Sequence, residues 1–464
     1  MDYKTDYLVI GGGAQAMAFV DTMLKETDAT FLIVDRRPKV GGHWNDAYPF
    51  VRLHQPSSYY GVASRPLGRH RLDEAGSNKG FFELATGVEI THYYHALMDE
   101  VFTPSKRVQH LPLCDYTDEG RIISLMSGEE HKVVVNKKIV NATHMTTEIP
   151  MTHTPKFKVA EGVSCVPPNH LCQLAPEYKH ITVLGGGKTG IDSVIWLLDN
   201  DYPVDNITWV IPRDSWFYNR GKFQPDESFL EETLEALAGR SEISATAATV
   251  DDFCLGMESI GVWLRLDKDI WPTMFHAAVI TKADLKQLQG INNIVRLGRV
   301  EAIETEQMLL AKGEIKCLPE TLYIDCTASA AACNVHNMTP VFQTGLINLN
   351  MIRNFQPCFS AALIAHIEAS IDDDTLRQAM TLPTPMTDTV EDLLTTQAHT
   401  LMNEAQWMAH EEIANWMIEC RLDGFSHLIA NINSDDHKKI SQLERVRQNG
   451  QSAVENLLRL AAVS

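Results

Sequence analysis

Short apolar, β-branched runs along this chain alternate with longer stretches in which apolar residues recur every three to four positions, which predicts an α/β protein. Near the start, Tyr7–Ile10 reads as a strand, Ala14 to about Lys25 as a helix and Thr30–Asp35 as a second strand, the length of one βαβ unit. The same succession returns at His180–Leu184, Gly190 to about Asn200, and Asn206–Pro212. Elsewhere, residues 50–130 read as irregular and rich in His, Tyr, Ser and Pro, and Lys132–Asn141 reads as a strand. Residues 225–290 read as mostly helical around Trp263 and Trp271, strands resume at Asn293–Glu304 and Thr321–Asp325, and helix dominates from about Ser360.

The strand-to-helix joints of both units are glycine-rich: Gly11-Gly12-Gly13 runs into Ala14 and Ala16, and Gly185-Gly186-Gly187 into Lys188, Thr189 and Gly190. A side chain there would block the tight turn and the close approach of phosphate oxygens to the free N–H groups of the helix N-terminus, so the pair predicts two dinucleotide sites. Asp35 ends the second strand of the first unit, about twenty residues after the glycines, where a carboxylate can accept hydrogen bonds from both hydroxyls of an adenosine ribose. In the second unit Arg213 stands near the corresponding place. A guanidinium can pair with a 2′-phosphate, which favours NADPH over NADH. Arg220 and Ser215 are secondary candidates for that phosphate, and Asp214, next to Arg213, works against it.

A length of 464 residues predicts two to three domains. The formal net charge of −20 argues against nucleic acid or an anionic membrane as the main partner. The cysteines at 114, 165, 172, 254, 317, 326, 333, 358 and 420 form no C-x-x-C pair and read as reduced thiols. A polar start that reaches a strand by Tyr7, and no apolar run long enough to span a membrane, lead us to expect a cytoplasmic protein. The histidines lack metal-ligand spacing, His92 and His95 being the nearest approach, so no metal is expected. The amphipathic stretch Ser441–Leu460 suits either an internal core or the contact of a homodimer.

The segment from Asp35 through Gly41, Gly42 and Trp44 resembles the Gly-Gly segment that follows the ribose carboxylate in two-dinucleotide flavoproteins. With both glycine turns, the chain resembles the flavin-containing and Baeyer-Villiger-type (class B) monooxygenases, as a divergent member. Asn141-Ala142-Thr143-His144 and Asp325-Cys326-Thr327-Ala328-Ser329 resemble the two crossings between domains in these families, without the usual final glycine. Ser164 to His170 occupies the place of their F-x-G-x-x-x-H fingerprint and keeps only the histidine.

The resemblance implies two Rossmann-like domains, an FAD-binding domain (1–155 and 325–375) interrupted by an NAD(P)H domain with a helical insertion (156–324), and a helical C-terminal extension (376–464). It implies FAD on Gly11, Gly13, Ala14, Ala16, Asp35, Arg36, Gly42, Trp44, Leu53, Gln55, Thr143, Asp325 and Ser360. NADPH would lie on Gly185, Gly187, Lys188, Thr189, Gly190 and Arg213, and His54 and His170 are the catalytic candidates. Ser360 belongs to a helix opening at Phe355 to Ala362, whose N-terminus would face the N1 and O2 edge of the flavin. The implied function is an NADPH-dependent monooxygenase that forms a C4a-peroxyflavin and oxygenates a small organic substrate with molecular oxygen. The alternatives are a flavin reductase passing electrons to a quinone or protein acceptor, and a non-catalytic nucleotide-binding or redox-sensing flavoprotein.

Overall fold

The computed structural model describes residues 2–117, 119–145, 147–328 and 336–463. In chain order, the first part supplies β1 (Asp2–Ile10), α1 (Ala14–Glu26), β2 (Phe31–Asp35), α2 (Gly87–Leu97), β3 (Val108–Pro112) and β4 (Glu130–Asn141). The middle supplies β5 (Ser164–Val166), β6 (His180–Leu184), α3 (Lys188–Asp199), β7 (Ile207–Val210), α4 (Glu227–Thr246), α5 (Val250–Ser259), β8 (Asn293–Val295) and β9 (Thr321–Asp325). Then follow β10 (Leu346–Asn348), α6 (Pro357–Ser370), α7 (Val390–Ala409) and α8 (His437–Val463).

Tyr7, Leu8 and Val9 are successive residues of β1 and all buried, so both faces of the strand are covered, as at the centre of a parallel sheet. The parallel part of the first sheet runs β10-β4-β1-β2-β3, and short antiparallel strands at Cys114–Tyr116, Arg121–Ser124 and Phe342–Gln343 extend it. Its register sets Tyr7 opposite Phe31 and Ile10 opposite Val34, and this brings Gly11 beside the end of β2. The second sheet runs β5-β9-β6-β7-β8 and is wholly parallel. Because β4 precedes the second sheet in sequence and β10 follows it, the second sheet is inserted within the chain of the first. Loops at the C-terminal ends of parallel strands are where such folds gather ligands, and both glycine turns lie there.

Helix α6 is apolar on all sides and buried from Cys358 to Glu368, packing on α1 over the first sheet, where Phe19 and Met23 join Phe359 and Leu363 in one core. The amphipathic C-terminal helix α8 covers a core of its own chain: Leu457 and Leu460 pack with Trp263, Phe275 and Leu394, while Arg445 bonds Glu235 and Glu242 on α4. Among the described residues no helix is long and apolar enough to cross a membrane.

Two sequence expectations are corrected. Residues 87–97 are helical, started by a capping box in which the Thr86 hydroxyl oxygen accepts the Glu89 N–H and the Glu89 carboxylate accepts the Thr86 N–H. The single strand expected over 293–304 is two, Asn293–Val295 and Val300–Ile303, in different sheets, parted at Gly298 with φ +81°.

Candidate functional site: a cleft shared by two glycine turns

The two turns are built alike. Gly11 has φ +92°, and a Cβ there would lie 2.7 Å from Thr143 Cγ2 where the chain leaves β4. Gly185 has φ +120°, and its Cβ would lie 2.6 Å from the carbonyl oxygen of Cys326, where the chain leaves β9. Each turn is therefore glycine for two reasons, a left-handed backbone and a neighbouring strand exit that crosses it. Gly13 and Gly187 face open space instead: a Cβ on Gly187 would meet nothing within 4 Å, and one on Gly13 only the Gly42 Cα at 3.7 Å.

Helices α1 and α3 begin at these last glycines with no side-chain cap and no acidic residue in the first turn. Helices α2, α4, α5 and α7 are closed by Thr86, Asp226, Thr249 and Thr389. Helix α6 also opens without a side-chain cap, behind Pro357. First-turn N–H groups without an internal partner and the positive end of the helix dipole make such ends anion sites. The starts of α1, α3 and α6 all reach one cleft of about 1660 Å³, lined among others by Ala14, Gln15, Lys188, Thr189, Phe355 and Pro357. That exceeds the roughly 300–1,000 Å³ of a site for one small molecule. The donor set fits two pyrophosphates. Asp35 fits a ribose as well: it lines the cleft, and although its Oδ2 accepts the Gly12 N–H at 2.7 Å and its Oδ1 the Arg37 N–H at 2.8 Å, a carboxylate has acceptor sites beyond these two.

Of the residues expected at the site, Gly11, Gly13, Ala14, Asp35, Arg36, Gly42, Trp44, Leu53, His54, Gln55, Thr143, Gly185, Gly187, Lys188, Thr189 and Arg213 line this cleft. Five do not. Ala16 faces the core of the first sheet, fully buried. Gly190 holds α3 against the turn, since a Cβ there would press on the Gly185 carbonyl oxygen. The Asp325 carboxylate is buried and takes the N–H and hydroxyl of Thr327 at 2.9 and 2.6 Å. Ser360 Oγ, also buried, accepts the N–H groups of Ile352 and Arg353 at 3.1 and 3.3 Å, bracing the chain before α6. His170 is not among the cleft-lining residues, whereas its neighbour Asn169 is, donating to the Asp46 carbonyl at 3.0 Å. The secondary candidates are also withdrawn from it: Ser215 donates to Trp216 and Met274 carbonyls, and buried Arg220 donates to the carbonyls of His54 and Val279. Ser329 and Cys333 lie outside the described residues.

In and around the cleft wall are contacts that the sequence does not foretell. Tyr48 donates to Asp192 Oδ2 at 2.7 Å, and Lys188 pairs with the same oxygen, which ties the first part of the chain to α3. Burial, followed by the charges of Lys188 and Arg220, holds His54 well below the ordinary histidine range, so its imidazole is neutral at pH 7. His43 is likewise lowered, to about 4, by burial and then Arg37. Trp44 donates its indole N–H to Tyr60 at 2.7 Å. Asp214 turns away from Arg213 to a two-point pair with Arg296, at 2.8 and 3.1 Å. Arg213 is instead met by Asp388 from the segment before α7. Only the i,i+4 spacing of Lys188 and Asp192 offered a sequence signal for any of these contacts.

The class defined by this fold and site is a mixed α/β protein with two mainly parallel sheets, a helical C-terminal region and one cleft shared by two uncapped glycine turns. No protein-family model matches the sequence. The chain belongs to the family of the "Uncharacterized protein Rv2000" of Mycobacterium tuberculosis, to which it is 39% identical over 426 residues, covering 92% of this chain and 79% of the relative. The "Uncharacterized protein Mb2023" of Mycobacterium bovis matches with the same identity and coverage. Among solved structures, it is similar to an open form of cyclohexanone monooxygenase (12% identity, 81% of this chain and 88% of that one, TM-score 0.49). A polycyclic ketone monooxygenase from the fungus Thermothelomyces thermophila gives 11% identity, 99% and 88% coverage and the same TM-score of 0.49. A flavin-containing monooxygenase from Stenotrophomonas maltophilia gives 13%, 80% and 98%, with a TM-score of 0.44.

Proposed function

We propose that the protein is an FAD-dependent oxidoreductase that uses NADPH and molecular oxygen to oxygenate a small organic substrate. FAD would be held by residues 1–155 and 325–375, and NADPH by 156–324. The observation that carries the reading is the single cleft onto which both uncapped glycine turns open. Two dinucleotides bound there would share one enclosure, as hydride transfer between them requires. When bound, FAD supplies hydride acceptance and the activation of oxygen.

The chain's own residues do the rest. The open ends of α1 and α3 bind pyrophosphate, and Asp35 orients the adenosine ribose of FAD. The neutral imidazole of His54 offers a hydrogen bond in the cleft without adding a positive charge. Tyr48 and Asp192 hold the two halves of the cleft in register. Leu53, Trp44 and Tyr60 contribute an apolar and aromatic stretch of the cleft wall. The preference for an oxygenase over a reductase rests on the resemblance of the Asp35–Trp44 segment and of both crossings. No two cysteines stand at C-x-x-C or C-x4-C spacing, so the vicinal pair that a disulfide reductase would normally need beside its flavin is missing from the sequence.

The test is stopped-flow absorbance of NADPH-reduced protein mixed with oxygen. A transient species that is neither reduced nor oxidised flavin, decaying faster with substrate, is the expected result. Direct reoxidation with stoichiometric peroxide, together with full anaerobic turnover on an artificial acceptor, would make the protein a reductase.

A further inference from the structure

Arg213 presents its guanidinium fork to Asp388, with Nη1 to Oδ2 at 2.9 Å and Nη2 to Oδ1 at 2.6 Å. This two-point geometry is also the one that would grip a phosphate. The carboxylate is not a passing surface contact. The Asp388 carbonyl accepts the Phe275 N–H at 2.8 Å, its N–H donates to Asp392 Oδ2 at 2.9 Å, and Thr387 Oγ1 donates to the Phe275 carbonyl at 2.6 Å. His276 Nε2 lies 2.8 Å from Asp388 Oδ1. The strap ahead of α7 is thus docked on residues 275 and 276, and it sets one negative charge on Arg213 inside the cleft wall.

We propose that Asp388 is a specificity-determining residue, which competes with the 2′-phosphate of a phosphorylated nicotinamide dinucleotide for the guanidinium of Arg213. The proposal rests on the nicotinamide reading of the Gly185 turn. A 2′-phosphate must take Arg213 from Asp388 and then lie beside the displaced carboxylate, whereas an unphosphorylated dinucleotide neither gains from Arg213 nor disturbs the pair. Displacement is feasible because the pair is partly open to solvent, at 31% and 38% side-chain exposure, and a phosphate of about −1.5 to −2 charge outcompetes a single carboxylate. The wild-type chain therefore distinguishes the two dinucleotides less sharply than Arg213 alone would.

Equilibrium titration of the purified flavin-loaded protein with NADP+ and with NAD+ tests this, on wild type, Asp388→Asn, Arg213→Ala and the double variant. Asp388→Asn should tighten NADP+ about tenfold and leave NAD+ within about twofold. Arg213→Ala should abolish the phosphate preference in either background, a coupling that a merely structural role of residue 388 does not produce. Equal effects on both dinucleotides, or no effect on NADP+, would overturn the proposal while leaving the nicotinamide site standing. Binding of neither dinucleotide to any of the four proteins would overturn that site and the proposal with it.

Discussion

Two glycines three residues apart at the start of α3 should respond oppositely to the same methyl group. At Gly190 a Cβ would sit well inside the 3.0 Å that real Cβ atoms keep, and the atom it meets is the backbone oxygen of Gly185, which also accepts the Trp209 indole N–H at 2.8 Å. Neither partner can step aside, so Gly190→Ala must push α3 away from the turn. Overpacking costs about 1–3 kcal/mol. Loss of the Trp209 bond costs about 1 kcal/mol more, and the better helix propensity of alanine returns about 1 kcal/mol. The net loss of about 1–3 kcal/mol should lower the melting temperature by about 1–3 °C for a chain of 464 residues. At Gly187 the backbone, φ −82° and ψ −177°, suits any residue, and nothing lies within 4 Å of the added carbon. Gly187→Ala should cost the fold about 0.5 kcal/mol or less. The methyl does stand where a pyrophosphate oxygen would approach, so NADP+ affinity should fall about tenfold or more. Thermal unfolding and equilibrium titration on both variants decide it. A Gly187→Ala protein that binds NADP+ like wild type would show that no pyrophosphate rests on this turn, and a Gly190→Ala protein with unchanged melting would refute the packing argument.

Asp35→Ala removes both the acceptor of the Gly12 N–H and the expected ribose anchor, and the purified protein should carry less than about a tenth of the wild-type flavin, read as the ratio of visible to protein absorbance. The hydrogen bonds of Arg213, with lesser help from His276, pull the Asp388 carboxyl down to about 2 from 3.8. A lowered carboxylate contributes stability above its unfolded value that is lost as pH falls, so the stability gap between wild type and Asp388→Asn should close between about pH 4 and pH 2 in denaturant titrations. His43, lowered to about 4 from 6.5, binds its proton more weakly folded than unfolded. Wild type should therefore lose stability from pH 6.5 toward pH 4, and His43→Gln should flatten that part of the slope in urea midpoints measured at several pH values.

What could be read from sequence divides by distance along the chain. The glycine turns, their strands and Asp35 lie within one βαβ unit, where a left-handed backbone and a β-branched run are local requirements written in consecutive residues. Those elements were placed to within a few residues, β1 starting earlier than expected and α3 at Lys188 rather than Gly190. Helix α2 was missed although its signal was present, because Thr86 and Glu89 make a capping box that a composition-based view of residues 50–130 passes over. The strand expected at 293–304 failed at Gly298, whose left-handed backbone ends the run that apolar pattern alone would extend. Arg213 is the instructive case. Its neighbour Asp214 is the competing charge that the sequence offers, yet Asp214 belongs to Arg296, and the carboxylate that meets Arg213 comes from 175 residues downstream. No periodicity in either segment encodes that meeting. It follows from where the capping box of α7 seats the strap against Phe275, a tertiary event. The glycine turns are thus a local property of the sequence, whereas under the proposal for Asp388 the sharpness of the preference for a phosphorylated dinucleotide would depend on how the strap ahead of α7 docks, and a change in that docking would alter it without touching either turn.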